Sequence, residues 1–337
     1  MKCRMDKTDS HVLPVPPNII SSLRLGFDAV ANKFVIILIP IGLDLLLWLG
    51  PHLQIKQILS NYFSLISTLP FSTPETGAVF ASLKDSLTVF ASQFNLFSLL
   101  RTFPVGVPSL MASRSPISIP QGSPVLFDVT HPLVIASVVV LILLMGIIIG
   151  SFYYILIAQI SFYGKVDLHH ALKNWMWTSL QVLSLALAMV LLFFVVSIPI
   201  SCLITSIALF GIPLGQFAYF IFFSILIWLA FPLLFSAHGI FVNHNNALAS
   251  VQRSMVMTRM TMPTTAFFLL SILLISEGLD ILWRVPPEKS WLTLLGVGGH
   301  AFITSALLAA SFIYYRDADL WTQGTIRMLK SQQRPVV

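Results

Sequence analysis

The sequence predicts an all-α fold, a polytopic membrane helical bundle of about six transmembrane helices with amphipathic helices in a long extracytoplasmic loop. Apolar residues make up 56% of the chain and charged residues only 9%, against ~25% charged in soluble domains. The 79 residues from Asn174 to Gln252 contain no Asp, Glu, Lys or Arg. Two runs inside that stretch, 175–197 and 216–235, are each long enough to cross a ~30 Å hydrocarbon core as a helix. We therefore expect most of the protein surface to face lipid.

The elements follow from apolar runs and from the Gly and Pro residues between them. We expect a polar N-terminal tail at 1–24, a six-span membrane domain at 25–315 with a loop at 50–131, and a polar C-terminal tail at 316–337. The spans are predicted at about 25–49, 132–160, 175–198, 214–237, 263–283 and 291–315. Pro40 predicts a kink in the first span, and Pro199 leaves the end of the third open, with a short re-entrant piece at 199–215 as the alternative.

The long loop at 50–131 contains helical periodicity of its own. Apolar residues recur from Phe80 to Phe97 with polar residues between them, which predicts an amphipathic helix that lies on the membrane or packs on the protein. From Pro104 to Pro132 the chain is rich in Pro, Ser and Gly, which predicts an extended loop.

A second short amphipathic helix is expected at 247–259, after the fourth span. Leu248, Val251 and Met255 share one face of it, and the opposite face carries Ser250 and Arg253. This pattern predicts a short interfacial helix.

The distribution of Lys and Arg predicts the orientation. With the N-terminus inside, thirteen of the 19 basic residues fall on the cytoplasmic side and six outside, which favours two cytoplasmic termini in the cell inner (plasma) membrane. The net charge of +6 does not indicate nucleic-acid binding, because the basic residues form no stripe. The expected partners are the lipid bilayer and either another membrane protein or a second copy of this chain.

Small residues at four-residue spacing are candidates for close helix packing. Gly146 and Gly150 form such a pair in the second span, and Ala301, Ser305 and Ala309 repeat the spacing in the last. We expect Gly146 and Gly150 to face another helix within one bundle, with a dimer interface as the alternative.

Ionisable residues inside the predicted spans are the most informative polar set. Asp44 lies in the first span, Glu277 and Asp280 share a face of the fifth, and Arg284 and His300 lie close by in sequence. Buried charges are expensive in a membrane, so we expect these five residues to form one cluster. The cluster is interpreted either as a proton, cation or substrate site or as a structural ion-paired patch.

Motifs for catalysis or cofactor binding are not found. The sequence contains no Gly-rich phosphate loop, paired-Cys metal site or nucleophile elbow, so no enzyme activity, cofactor or metal is expected. Four histidines could suggest a metal site, but polar residues at headgroup level are the simpler interpretation; they are His169, His170, His238 and His244.

Two short patches resemble a known group of membrane proteins. The passage Ala247-Leu248-Ala249-Ser250-Val251-Gln252-Arg253-Ser254-Met255-Val256-Met257-Thr258-Arg259 leads into an apolar helix, and the final span ends in Tyr315-Arg316-Asp317. With six spans, they resemble a group of six-helix bacterial membrane domains, some fused to glycerophosphodiester phosphodiesterases and others standing alone. The sequence contains no phosphodiesterase domain, so the resemblance implies a fold more than an activity. The function expected is a non-enzymatic envelope scaffold or accessory component; the alternative is a small transporter or channel that uses the acidic cluster.

Overall fold

The computed structural model describes residues 15–66, 74–209 and 215–332, and within them it confirms the all-α class. The α-helices are α1 (Ile19–Asn32), α2 (Leu38–Leu49), α3 (Lys56–Ile66), α4 (Pro74–Gln93), α5 (Met111–Arg114), α6 (Pro132–Tyr163), α7 (Leu168–Leu209), α8 (Gly215–Ala230), α9 (Ser236–Asn243), α10 (Ala247–Met260), α11 (Met262–Trp283) and α12 (Thr293–Gln332). Three short 3₁₀ helices cover Phe34–Ile37, Leu96–Leu100 and Phe231–Leu233. Two short strands, β1 (His52–Gln54) and β2 (Leu126–Asp128), pair in parallel within the long loop.

Within the described ranges, five helical stretches are long and apolar enough to span a membrane, or six if α1 and α2 are counted as one bent span. The bend is 91°, and it lies at Lys33, whose backbone leaves the helical region with φ −133° and ψ 53°. The prediction of a kink at Pro40 was wrong. Pro40 is the third residue of α2, and a helix tolerates proline in its first turn because the amides there have no intrahelical acceptor.

Helix α12 lies at the centre of the bundle, whereas much of the uncharged stretch at 174–252 lies at its periphery. Over half of its most apolar part, 56%, is buried in the protein, whereas the corresponding part of α7 is not buried at all. Helix α1 packs closely on α12: a Cβ added to Gly26 would lie 2.7 Å from the carbonyl oxygen of Ala306. The predicted polar tail at 316–337 is helical as far as Gln332, because α12 continues through it and buries Asp319 and Thr322.

The third and fourth spans form a long peripheral hairpin. The helix α7 continues past Pro199 to Leu209, so the alternative of a re-entrant piece is wrong for residues 199–209; residues 210–214 lie outside the described residues. The fourth span, Phe217–Asn243, is one apolar helical stretch in which the 3₁₀ turn Phe231–Leu233 interrupts the α-helical hydrogen bonding between α8 and α9. This interruption is called the break below.

The helix α10 exists as predicted. The face that it buries in the protein is the one that carries Ser250 and Ser254, not the one that carries Leu248. Ser250 and Ser254 are buried, while the side chain of Leu248 is 68% exposed. The Ser250 hydroxyl donates to the carbonyl of Ser236, and the Ser254 hydroxyl donates to the carbonyl of Pro232 at 2.7 Å. The carbonyl of Pro232 lies in the break between α8 and α9, and that of Ser236 belongs to the first residue of α9. Two serine hydroxyls of α10 therefore donate to backbone acceptors at or beside the break.

Candidate functional site

Residues 101–110, called the inserted segment below, have no regular secondary structure yet pack against the bundle, with Thr102 buried and with Arg101 and Phe103 exposed. Val105, Val107, Ser109 and Leu110 are all buried. The segment follows the 3₁₀ helix Leu96–Leu100 and ends at α5. The loop predicted from Pro104 to Pro132 is irregular as far as Leu110, where it packs against the helices, and it also contains α5 and β2. Irregular backbone at membrane depth is tolerated only where protein or a watered cavity surrounds it.

Gly146 and Gly150 of α6 show where along that helix the inserted segment packs. An added Cβ on Gly146 would lie 2.7 Å from the carbonyl oxygen of Leu100, and one on Gly150 would lie 2.8 Å from that of Val105. Gly146 is the 15th of the 32 residues of α6, so the contact lies roughly 20 Å from the start of the helix. The expected close backbone approach is present, but the partner is not another helix packed side by side; it is the inserted segment and the 3₁₀ turn before it.

Asp44 binds the inserted segment rather than α11 or α12. Its fully buried carboxylate accepts hydrogen bonds from the Ser109 hydroxyl at 2.5 Å, the Leu110 amide at 3.2 Å and the Met111 amide at 2.9 Å. The prediction that Asp44 joins the acidic residues of α11 was therefore wrong. The carboxylate instead accepts from backbone amides at the start of α5, which α5 itself cannot satisfy.

Three of the other predicted cluster residues do meet. Asp280 Oδ2 lies 2.6 Å from Arg284 Nε, and Asp280 Oδ1 lies 3.4 Å from His300 Nδ1. Arg284 also donates to the Ser113 hydroxyl at 2.7 Å. Glu277 is exposed and, within the part of the chain that the structure describes, makes no ion pair. The expected single cluster is therefore divided among three places.

A cavity of about 370 Å³ opens beside the inserted segment. The inserted segment, α6, α9, α11 and α12 all contribute to its wall, as does the break before α9. The polar side chains in the wall are Arg101, Thr102, Tyr154, His238, Ser276, Thr304 and Ser311. None of these residues except His238 was singled out by the sequence, and Arg101 was assigned to the external loop.

Arg101 is the one charged side chain of that wall. Among the described residues no carboxylate lies within 4 Å of it; its one recorded hydrogen bond is a long one, 3.4 Å from Nη1 to the Ser109 carbonyl. The hydroxyls of Thr304 and Ser311 donate to carbonyls of their own helix. Arg101 is therefore the main source of free N–H donors in the cavity.

His238 adds a buried polar atom to the same wall. It shares a 2.8 Å hydrogen bond between Nε2 and the Ser311 hydroxyl. The Ser311 hydroxyl also lies 2.7 Å from the Leu308 carbonyl oxygen. Nδ1 is buried and has no partner among the described residues.

The histidines do not form a metal site in the described part of the chain. The rings of His170 and His244 approach to 6.1 Å, and burial lowers the pKa of His244, with His170 contributing to the decrease. His238 lies elsewhere, in the cavity wall. No group of three His, Cys, Asp or Glu side chains suited to a metal occurs in residues 15–66, 74–209 and 215–332.

The fold and the cavity together define an all-α protein with five or six helical stretches suited to a membrane and a polar site at their mid-depth. No family model, curated protein or solved structure matches the chain. The resemblance to the six-helix membrane-domain group stays a prediction.

Proposed function

We propose that this chain is a non-enzymatic integral membrane protein that binds an anionic ligand in the cavity beside Arg101. It would serve as a scaffold or accessory component of the envelope that holds this ligand. The observation that carries the proposal is a guanidinium at mid-depth of the bundle without a carboxylate partner among the described residues.

The cost of a charge at this depth supports an anionic ligand. Moving an arginine to the centre of a membrane costs about 3 kcal/mol or more, and a counter-charge offsets that cost. Asp44 lies near enough to interact electrostatically with Arg101, but three closer donors already occupy its oxygens. The planar guanidinium suits a carboxylate or phosphate, which it can bind through two parallel hydrogen bonds.

Transport of the same ligand is the second candidate. The cavity lies where two irregular stretches of backbone meet, the inserted segment and the break before α9. Membrane transporters commonly bind substrates near the midplane at discontinuous helices. Asp44 and Glu277 lie away from the Asp280–His300 pair, so the predicted acidic cluster does not support transport. In this second candidate Arg101 is the residue that would bind the transported ligand.

Thermal unfolding of the full-length protein in a neutral detergent tests the binding. We expect dioctanoyl phosphatidic acid or glycerol phosphate to raise the melting temperature of the wild type and of Arg101→Lys, but not of Arg101→Gln. A ligand at a hundredfold excess over Kd adds about 2.7 kcal/mol to the free energy of unfolding. The matched control is Arg259→Gln, which removes an exposed charge outside the cavity wall and should keep the response. An equal response of Arg101→Gln, or no response to either anion, would contradict the proposal.

We also propose the cell inner membrane as the location, with both termini cytoplasmic, on the basis of the distribution of basic residues, thirteen inside against five outside once Arg101 is counted with the cavity wall. Single cysteines at Ser331 and Ser123, in a background without Cys3 and Cys202, test the orientation with a membrane-impermeant maleimide. Ser123 is exposed, unlike Ser109, which is fully buried and unsuitable for labelling. Labelling of Ser123→Cys alone in intact cells is expected, and labelling of Ser331→Cys would refute this orientation.

A further inference from the structure

A second, apolar groove adjoins the Arg101 cavity. It has a volume of about 220 Å³ and runs between α7 and α8, with Phe103 of the inserted segment at one side. Side chains that line it from the two helices include Met189, Phe193, Leu226 and Ala230. Pro104 and Leu234 line both the groove and the cavity.

The two spaces have opposite chemistry. The cavity has polar groups and one unpaired cation in its wall, whereas the groove is lined by apolar side chains alone. The groove lies on the peripheral hairpin, where the most apolar part of α7 is not buried by the rest of the described protein and only 17% of that of the fourth span is. A ligand that matches both spaces needs a negative group at one end and a hydrocarbon chain at the other.

We infer that the ligand is an anionic amphiphile of the phospholipid class. Its phosphate pairs with the Arg101 guanidinium, and one acyl chain lies in the groove between α7 and α8. The assignment rests on the proposed function, since it names the ligand class of that same cavity. A free phosphate ester would satisfy Arg101 and leave the groove unused, whereas an uncharged lipid would fill the groove and leave Arg101 without a counter-charge.

Three matched probes separate the contributions of charge and chain. Dioctanoyl phosphatidic acid carries both, glycerol phosphate carries the charge alone, and dioctanoyl glycerol carries the chains alone. Binding to the full-length protein in neutral detergent is measured by melting temperature and by native mass spectrometry. We expect phosphatidic acid to bind at least about tenfold more tightly than either other probe, because each buried CH₂ adds favourable free energy.

Two substitutions assign the chain to the groove. Ala230→Phe fills the groove and should reduce the affinity for phosphatidic acid toward that for glycerol phosphate, whose binding it leaves unchanged. Ile227→Phe on the same helix is the matched control, because Ile227 is 67% exposed and does not line the groove. This control variant should bind like the wild type.

The outcomes distinguish failure of the inference from failure of the proposed function. Equal affinity for phosphatidic acid and glycerol phosphate, both lost in Arg101→Gln, would overturn the amphiphile and leave anion binding intact. Equal affinity for phosphatidic acid and dioctanoyl glycerol would overturn the role of the charge and with it the proposed function. An unchanged phosphatidic acid affinity in Ala230→Phe would overturn the placement of the chain.

Discussion

At the scale of single residues, the Asp44 carboxylate ties α2 to the inserted segment. Asp44→Leu leaves the amides of Leu110 and Met111 without an acceptor. Because each buried unsatisfied donor costs about 1–3 kcal/mol, we expect a loss of at least about 2 kcal/mol in the free energy of unfolding. Asp44→Asn keeps one acceptor oxygen and should cost less. Thermal unfolding in detergent measures both, and equal melting of Asp44→Leu and wild type would show that these hydrogen bonds contribute nothing.

Gly146 and Gly150 give a second prediction at the same scale. A Cβ on either would lie within 2.8 Å of backbone or side-chain atoms that belong to a packed segment, so Gly146→Ala and Gly150→Ala should each destabilise the bundle by about 1–3 kcal/mol. Gly42 is the matched control. It lies in α2 with nothing within 4 Å of an added Cβ, so Gly42→Ala should be neutral or stabilise by about 0.5–1 kcal/mol. Unchanged melting of both α6 variants would place those glycines against lipid.

At the scale of elements, α10 is attached through its serines. Ser250→Ala and Ser254→Ala each remove a donor to a carbonyl beside the break in the fourth span, which should cost about 1 kcal/mol each or more. Leu248→Ala, on the exposed face, should stay within about 0.5 kcal/mol of wild type. The amphipathic pattern alone predicts the reverse order. Melting temperatures of the three variants therefore decide which face is buried.

The same helix shows why sequence patterns predict some features and not others. Helix existence follows from composition and periodicity, so the apolar runs and α10 were predicted from the sequence. Which face is buried depends on the neighbour, and here the neighbour offers backbone carbonyls of Pro232 and Ser236 rather than apolar side chains. A pattern within one helix contains no information about which carbonyls another helix presents to it.

The inserted segment could not be located from sequence for a related reason. Its Pro and Gly residues predicted irregular backbone, and such stretches normally lie at the surface. Gly146 and Gly150 indicated a close backbone approach but not the identity of the partner. Arg101 was consequently assigned to the outside, although the segment places it in a cavity wall at mid-depth.

At the scale of the whole molecule, the bundle has a packed part and a peripheral part. The packed part is centred on α12, with α1, α6 and the first half of α7 among the helices that build its core; the peripheral part is the second half of α7 together with α8. The proposed ligand lies where the two parts meet. Occupation of the groove by an acyl chain would therefore add contacts to the hairpin that the protein alone does not supply.

Thiol accessibility of the inserted segment tests the central claim most directly. Val107→Cys is a conservative change at a position that is 2% exposed, and Ile117→Cys is its matched control in the same connection, at 61% exposed. In the folded protein without its native cysteines, a charged maleimide should label Ile117→Cys rapidly and Val107→Cys only after unfolding. Equal, rapid labelling of both in the folded protein would place the segment in an external loop and remove the basis of the Arg101 site.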